Sequence, residues 1–156
     1  MKHELLVLGS QSQSRQLLLK EAQIPFITVP HRSSEQESVF SGDLSAYVID
    51  IACHKMESLE LPSPGLFGRD CMLVLTADSV VQHPASQTLL GKPRDIMDAS
   101  RMLQLARMSE MLIMTGCCLR EYEWSGDEWK RQREKTWSTS ASIDFIVPEE
   151  EVSYYL

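Results

Sequence analysis

Residues 73–81 read Leu-Val-Leu-Thr-Ala-Asp-Ser-Val-Val, and this stretch decides the fold because it is an apolar run that contains one acid, Asp78. A short apolar run of this kind predicts a buried strand. Burying an unpaired carboxylate costs several kcal/mol or forces its neutralisation. Asp78 therefore needs a metal ion, a cationic partner or a catalytic role, unless the strand lies at an edge and leaves the acid in solvent.

A tight basic turn, Leu90-Gly91-Lys92-Pro93, begins twelve residues after Asp78. An acid that holds a metal and a lysine that holds a phosphate would together form a site for phosphate chemistry. We favour this functional interpretation of the acid and the lysine. The alternatives are an acid paired with an arginine and an acid exposed on an edge strand.

Composition limits the class of protein. A chain of 156 residues suits one domain, spanning 1–156, that can bury a proper core. Its 43% hydrophobic and 24% charged residues are typical of a soluble globular protein. The net charge of -7 argues against broad binding to nucleic acid or to an anionic membrane surface. An anion would therefore need a local basic pocket and a metal ion.

The four cysteines, at positions 53, 71, 117 and 118, show no Cys-x-x-Cys spacing, which argues against a zinc site. The adjacent Cys117 and Cys118 lie in an apolar run and should point to opposite faces of a strand. We expect reduced, mostly buried thiols in a cytosolic protein. The N-terminus has no long apolar segment and no stretch reaches transmembrane length, so we expect a cytoplasmic location.

The N-terminal part alternates between strand and helix signals. The pattern predicts a strand over 4–9, a polar capping loop over 10–14, a helix over 15–22 and a strand over 24–29. Ser12 or Ser14 would cap the helix. This order of elements is typical of an α/β fold.

The remaining elements are less regular. Asp43 is expected to cap a helix over 44–59, and a loop follows over 61–70. The basic cluster 130–135 is interpreted as a solvated turn or strand edge rather than a nucleic-acid patch. After the strand around Asp78 we predict a hairpin-like turn over 83–87, a helix from Pro93, a core strand over 111–119, a strand end and turn over 122–129, one strand face marked by Ile143, Phe145 and Val147, and a helix start over 148–151.

Three further positions are ambiguous when they are considered one at a time. The loop from Ser10 to Arg15 leads into a helix N-terminus, which can bind an anion, but it equally fits an ordinary capped helix with a solvated arginine. Glu35 lies in a polar stretch, where most glutamates are solvated. Lys55 lies in a predicted helix, where most lysines are on the surface. Individually, these positions favour the structural interpretation.

Taken in order, these segments resemble the Maf family of nucleoside triphosphate pyrophosphatases. The resemblance covers nearly the whole chain, and the Ala-Asp-Ser form of the central strand resembles the branch that prefers dTTP and UTP. The matching segments, in the family's order and with similar spacings, are the loop from Gly9 to Arg15 for its Ala-Ser-x-Ser-Pro-Arg-Arg, Ser34-Glu35 for its acidic pair, Lys55-Met56 for its helix Lys-Ala, Ala77-Asp78-Ser79 for its Ala-Asp-Thr, the intact Leu90-Gly91-Lys92-Pro93, then Met102-Leu103 and Thr115-Gly116.

The chain also departs from the family's pattern. Ser14 replaces the first arginine of the loop, Gln13 replaces its proline, and Ser34 replaces the first acid of the pair. Ala106-Arg107-Met108 stands where the family usually has Leu-Ser-Gly after its Met-Leu helix. Family members continue beyond the point where this chain ends. We therefore expect residues 1–156 to form a Maf-like domain that is incomplete at its C-terminus and lacks one wall of the cleft.

The resemblance implies an α/β fold of the Maf and ITPase type, with a mixed twisted sheet flanked by helices around a nucleotide cleft. It implies hydrolysis of the α–β phosphate bond of dTTP-like, UTP-like or modified nucleotides to a nucleoside monophosphate and pyrophosphate. Glu35 and Asp78 would hold Mg²⁺ or Mn²⁺, and Asp78 would orient or deprotonate the attacking water. The phosphates would be bound by Ser10, Arg15, Lys55 and Lys92.

Two other functions stay open. The departures in the loop and the short C-terminus favour a nucleotide-binding protein without turnover. The family's link with septum formation suggests a non-enzymatic regulator of cell division. An apolar edge left by the missing part would favour a homodimer. Neither nucleic acid nor a membrane is expected as a partner.

Overall fold

The computed structural model describes residues 5–31, 39–66, 68 and 70–156. These residues form two compact units, one from Met1–Asp78 with Gly116–Ser138 and the other from Ser79–Thr115 with Thr139–Leu156. The helices and strands, in chain order, are β1 Leu5–Leu8, α1 Gln13–Glu21, β2 Phe26–Thr28, α2 Leu44–Glu57, β3 Cys71–His83, β4 Thr88–Leu90, α3 Ile96–Ala106, β5 Ser109–Trp124 and β6 Trp129–Phe145, with 3₁₀ turns at Pro64–Leu66 and Glu149–Tyr154.

The strands of the described residues belong to one mixed sheet in the order β2-β1-β3-β5-β6, and β4 pairs with β3. In the first unit β1 is parallel to both of its neighbours: Leu8 is in register with Thr28 of β2 and with Leu75 of β3. The chain moves from β1 to β2 on one side and then returns across β1 to β3 on the other. The gap between β1 and β3 is therefore a topological switch point, and the α/β prediction with a mixed sheet is confirmed.

The helix α2 covers one face of the first unit's strands. Its N-cap is Asp43, whose carboxylate accepts a hydrogen bond from the Ala46 amide at 3.0 Å, as predicted. Its buried side chains recur at helical spacing and meet every second residue of β3, because alternate strand residues share a face. The buried core of this layer comprises Val7, Ala52, Met56, Met72, Val74, Cys118 and Tyr122.

In the second unit, β4 folds back on the end of β3 as an antiparallel hairpin, with His83 in register with Thr88. The predicted turn at this place is confirmed. The helix predicted from Pro93 begins instead at Ile96, because the Asp95 side chain caps it by accepting from the Asp98 amide at 2.8 Å. The helix start predicted after Pro148 is a 3₁₀ turn.

The C-terminal half contains longer strands than the sequence pattern predicts. The segment predicted as a strand end and turn is the end of β5, a turn over 125–128 and the first residue of β6. Residues 130–135 lie within β6, where they are exposed, and β6 is the last strand in the sheet order. Of the two predicted locations for this basic cluster, a turn or a strand edge, the strand edge is confirmed. Of the helices in the described part of the chain, none has both the length and the hydropathy that crossing a bilayer requires.

Candidate active site

The carboxylate of Asp78 has a lysine as its partner. Lys55 Nζ of α2 donates a hydrogen bond to Asp78 Oδ1 at 2.5 Å, and the two side chains are 6% and 15% exposed. The pair explains how an acid can interrupt the apolar run of β3, since each charge compensates the other. The two alternative predictions, that Asp78 pairs with an arginine and that it lies in solvent on an edge strand, are both wrong.

The structural interpretation of Lys55 as a surface lysine is also wrong. Lys55 follows Val48, Ile51 and Ala52 at spacings of seven, four and three residues, so it lies on the buried face of α2. Its aliphatic stem is covered by that packing while its ammonium reaches Asp78. Sequence alone could not show this, because the buried partner is 23 residues away.

The loop after β1 forms a second cluster. Ser10 is 4% exposed, and its hydroxyl oxygen accepts hydrogen bonds from Arg15 Nη1 and from the Ser12 amide, each at 3.2 Å. Ser12, rather than Ser14, is the N-cap of α1 and accepts from the Arg15 amide at 3.4 Å. The guanidinium of Arg15 therefore contacts the loop at the helix N-terminus, where amide donors and the helix dipole attract anions.

The Ser10 cluster follows the carboxyl end of β1, and Asp78 lies three residues beyond the last β3 residue that pairs in parallel with β1, Leu75. The Gly9 amide donates to the Leu75 carbonyl at 2.8 Å and so extends the pairing of β1 with β3 by one residue. A Cβ atom built at Gly9 would lie 2.7 Å from Thr76 Cγ2, so the loop backbone passes close to the Thr76 side chain. The loop after β1 thus passes beside β3 two residues before Asp78. Ligands of open α/β sheets bind at such a switch point.

Thr76 is a buried polar residue that sequence reasoning missed. Its side chain is fully buried, and its hydroxyl donates to the Ala52 carbonyl of α2 at 2.7 Å. A signal was available in the sequence, because a hydroxyl two residues before Asp78 must share its face of the strand. A second buried polar residue that was missed, Arg120, lies on β5 at 5% exposure.

The other two predicted site residues are Glu35 and Lys92. Glu35 lies outside the described residues. Lys92 lies in the second unit, in the exposed turn after β4. Within the part of the chain that the structure describes, no three His, Cys, Asp or Glu side chains form a cluster that could hold a metal. Among the described residues of the two clusters, Asp78 supplies a carboxylate of the kind that Mg²⁺ prefers, and Mg²⁺ is commonly held by one or two carboxylates with substrate phosphates.

The cysteines near the site are not activated nucleophiles. Burial, together with the nearby Cys53, raises the pKa of Cys118 to about 12. Burial also raises the pKa of Cys117, with a smaller opposing effect from the Arg15 charge. Cys118 therefore faces α2, whereas Cys117 faces the side of α1, as expected for adjacent strand residues. All four cysteines are free thiols.

Comparison with known proteins gives consistent names. The profile of the family described as Maf-like protein matches residues 5–156. A dTTP/UTP pyrophosphatase of Acholeplasma laidlawii is 39% identical over 115 residues, which cover 74% of this chain and 56% of that protein. A nucleoside triphosphate pyrophosphatase of Chlamydia pneumoniae is 36% identical over 103 residues, which cover 65% of this chain and 49% of that protein. The chain spans about half the length of these relatives.

A solved structure of a HAM1 protein from Coxiella burnetii is also similar, with a TM-score of 0.39 and 19% sequence identity. That similarity covers 86% of this chain and 71% of the solved chain.

Proposed function

The chain belongs to the Maf-like protein family, and on that premise we propose that it hydrolyses nucleoside triphosphates at the α–β phosphate bond, releasing a nucleoside monophosphate and pyrophosphate. The proposed substrates are dTTP, UTP or nucleotides with modified bases. The observation that carries the proposal is the Lys55–Asp78 pair, a carboxylate and an ammonium whose β3 member lies two residues after Thr76, the residue that the loop after β1 approaches.

The proposed chemistry needs a base and several cations. Asp78 would orient the attacking water and take its proton, because its carboxylate is held by one hydrogen bond and has a second oxygen. Lys55 would balance the charge of that carboxylate and contact a phosphate oxygen when the substrate binds. The amides at the start of α1, with Ser10 and Arg15, would bind the phosphates. We assign Lys92 a phosphate contact on the resemblance alone.

The proposed cofactor is Mg²⁺ or Mn²⁺. Asp78 would hold it together with Glu35 and the phosphate oxygens of the substrate, since hard oxygen donors suit both ions. When bound, such an ion neutralises phosphate charge and makes a water molecule more acidic. We also propose a cytoplasmic location, where nucleotides are abundant and four free cysteines stay reduced.

The test is pyrophosphate release from a panel that includes dTTP, UTP and modified nucleotides, with Mg²⁺ or Mn²⁺. Asp78→Asn should lower kcat by about 10²–10⁴-fold, as expected for removal of a general base. Asp144→Asn, at an exposed position of β6, is the matched control and should retain full activity. Circular dichroism would verify that each variant is folded. Near-normal turnover by Asp78→Asn would refute the role of this carboxylate.

A second measurement separates catalysis from binding alone. Substrate should raise the thermal midpoint in the presence of the metal, by mass action on the folded state. Stabilisation without product release by the unaltered protein would identify a nucleotide-binding protein that lacks turnover. Absence of both effects would argue against any nucleotide site.

A further inference from the structure

We propose that Thr76 is a positioning residue, which fixes the separation of Lys55 and Asp78 by tying α2 to β3. The inference rests on the proposed function for its kinetic consequence, but its structural part concerns the ion pair alone. Thr76 does not touch the reacting groups in this proposal; it acts through the two residues that do.

The first observation is the spacing of two contacts between the same two elements. The Thr76 hydroxyl donates to the Ala52 carbonyl at 2.7 Å, and Lys55 Nζ donates to Asp78 Oδ1 at 2.5 Å. On β3 the two contacts are two residues apart, which keeps them on one face of the strand. On α2 they are three residues apart, which places them one helical turn from each other. Together they set the register of the helix on the strand.

The second observation is that this hydrogen bond is not needed to satisfy the helix. In a regular helix the Ala52 carbonyl accepts from the amide four residues later, Met56, so the threonine hydroxyl occupies its second lone pair. Buried hydroxyls that donate to a backbone carbonyl fix a distance between elements, since the alternative is an unsatisfied donor in an apolar layer. The position of α2 along β3 is thus defined where the ion pair needs it.

The third observation links the same side chain to the phosphate-binding loop. The Thr76 methyl group lies where a Cβ atom of Gly9 would approach to 2.7 Å. Gly9 directly precedes Ser10, whose hydroxyl accepts from Arg15 at 3.2 Å. The hydroxyl of Thr76 therefore contacts α2, while its methyl group lies on the side of the loop.

The experiment compares Thr76→Val with Thr76→Ser. Valine preserves the shape of the side chain and removes the hydroxyl, while serine keeps the hydroxyl. Thr76→Val should lower kcat by roughly 10–100-fold, because misplacement of a catalytic pair by about an ångström has that effect. Thr76→Ser should stay within about threefold of the parent kcat, since its hydroxyl can donate to the same carbonyl. Thr28→Val, at an exposed threonine of β2, is the matched control.

A cycle with Lys55→Met separates positioning from general loss of structure. If Thr76 acts through Lys55, adding Thr76→Val to Lys55→Met should cost little further kcat, because residues that act as a unit are not additive. Independent, additive losses would show that the threonine is merely structural and would overturn the proposal.

A second readout does not depend on turnover. In protein with ¹⁵N-labelled lysine, the ammonium resonance of Lys55 is identified by its loss in Lys55→Met. It should move in Thr76→Val toward its position in Asp78→Asn, and remain in place in Thr76→Ser. An unmoved resonance in Thr76→Val refutes the positioning role. The expected shift in a protein that never releases pyrophosphate would retain that role and reject the proposed function. If valine prevents folding, Thr76→Ala removes the same hydroxyl.

Discussion

Gly116 shows how closely the helix α2 approaches the sheet. This residue is buried on β5, and a Cβ atom built there would overlap the backbone of Val48 and the Ile49 amide. The lack of a side chain is what lets the helix backbone lie against the strand at this point. The helix that carries Lys55 therefore packs its backbone against Gly116 and also accepts a hydrogen bond from Thr76.

Replacement of Gly116 by a residue with a side chain should therefore destabilise the folded protein. We expect Gly116→Ala to lower the free energy of unfolding by about 3 kcal/mol, because the obstruction is backbone and cannot rotate away. Urea unfolding followed by tryptophan fluorescence would measure the change. Gly65→Ala is a suitable control, since nothing lies within 4 Å of the added atom, and it should change stability by less than about 0.5 kcal/mol. Equal effects of the two substitutions would contradict the close approach.

Single residues also show what sequence could and could not provide. The need of Asp78 for a partner followed from the cost of burying a charge, and the structure supplies one. The identity of that partner did not follow, because Lys55 is distant in sequence and resembles any other helix lysine. Its burial depends on which face of α2 meets β3, a tertiary fact that local periodicity cannot supply.

At the scale of elements, α2 is anchored at its C-terminal end by a buried arginine. Arg120 of β5 donates from Nη2 to Glu57 Oε1 at 2.5 Å and from Nε to Glu134 Oε2 of β6 at 2.6 Å. The arginine side chain is 5% exposed, whereas the side chains of Glu57 and Glu134 are 64% and 37% exposed. Removing the cation therefore returns two carboxylates to water, but removing the carboxylates leaves a buried cation without an opposite charge.

This asymmetry predicts which substitutions lower the free energy of unfolding more. Arg120→Met should lower the free energy of unfolding by about 1 kcal/mol, and the double change Glu57→Gln with Glu134→Gln by about 3 kcal/mol. Arg133→Met serves as the control, because that guanidinium is exposed and lies 3.6 Å from Glu121. Its effect should be below about 0.5 kcal/mol. Chemical denaturation of the four proteins measures the order, and a larger loss for Arg120→Met would contradict the explanation.

The elements whose extent the sequence pattern predicted poorly are those that do not bury one apolar face. In β6 most side chains over 129–145 are exposed, so the alternation of apolar and polar residues that marks a half-buried strand is missing. The strand exists because its backbone pairs within the sheet, which a polar sequence does not reveal. By contrast, β3 and α2 bury one face each and were located correctly from their periods of two and 3.6 residues.

At the scale of the molecule, the order of strands and helices indicated α/β topology, and family membership is confirmed. The placement of β1 between β2 and β3 was not available from the pattern, because strand order depends on crossovers rather than on local periodicity. The role of Glu35 stays a prediction, since it lies outside the described residues, and so does that of Lys92.

Stability of the whole chain should decline in acid, because each unit holds a carboxylate with a lowered pKa. The hydrogen bond from Arg120 lowers the pKa of Glu57 in the first unit, and the hydrogen bond from Arg101 lowers that of Asp98 in the second. A carboxyl group whose pKa is lower in the folded than in the unfolded protein stabilises the native state at pH values above its unfolded-state pKa. That contribution disappears as the pH falls through the folded value.

The reference pKa values are 4.5 for glutamate and 3.8 for aspartate, so the midpoint in urea should fall from about pH 5 downward. Glu57→Gln and Asp98→Asn remove these titrations. Each variant should be less stable than the parent at pH 7, and the difference should narrow as the pH falls toward 3, because protonation progressively removes the same interaction from the parent. Urea unfolding at pH 7, 5 and 3 tests this. A difference that stays constant with pH would mean that packing, and not the charge-assisted hydrogen bond, stabilises these carboxyls.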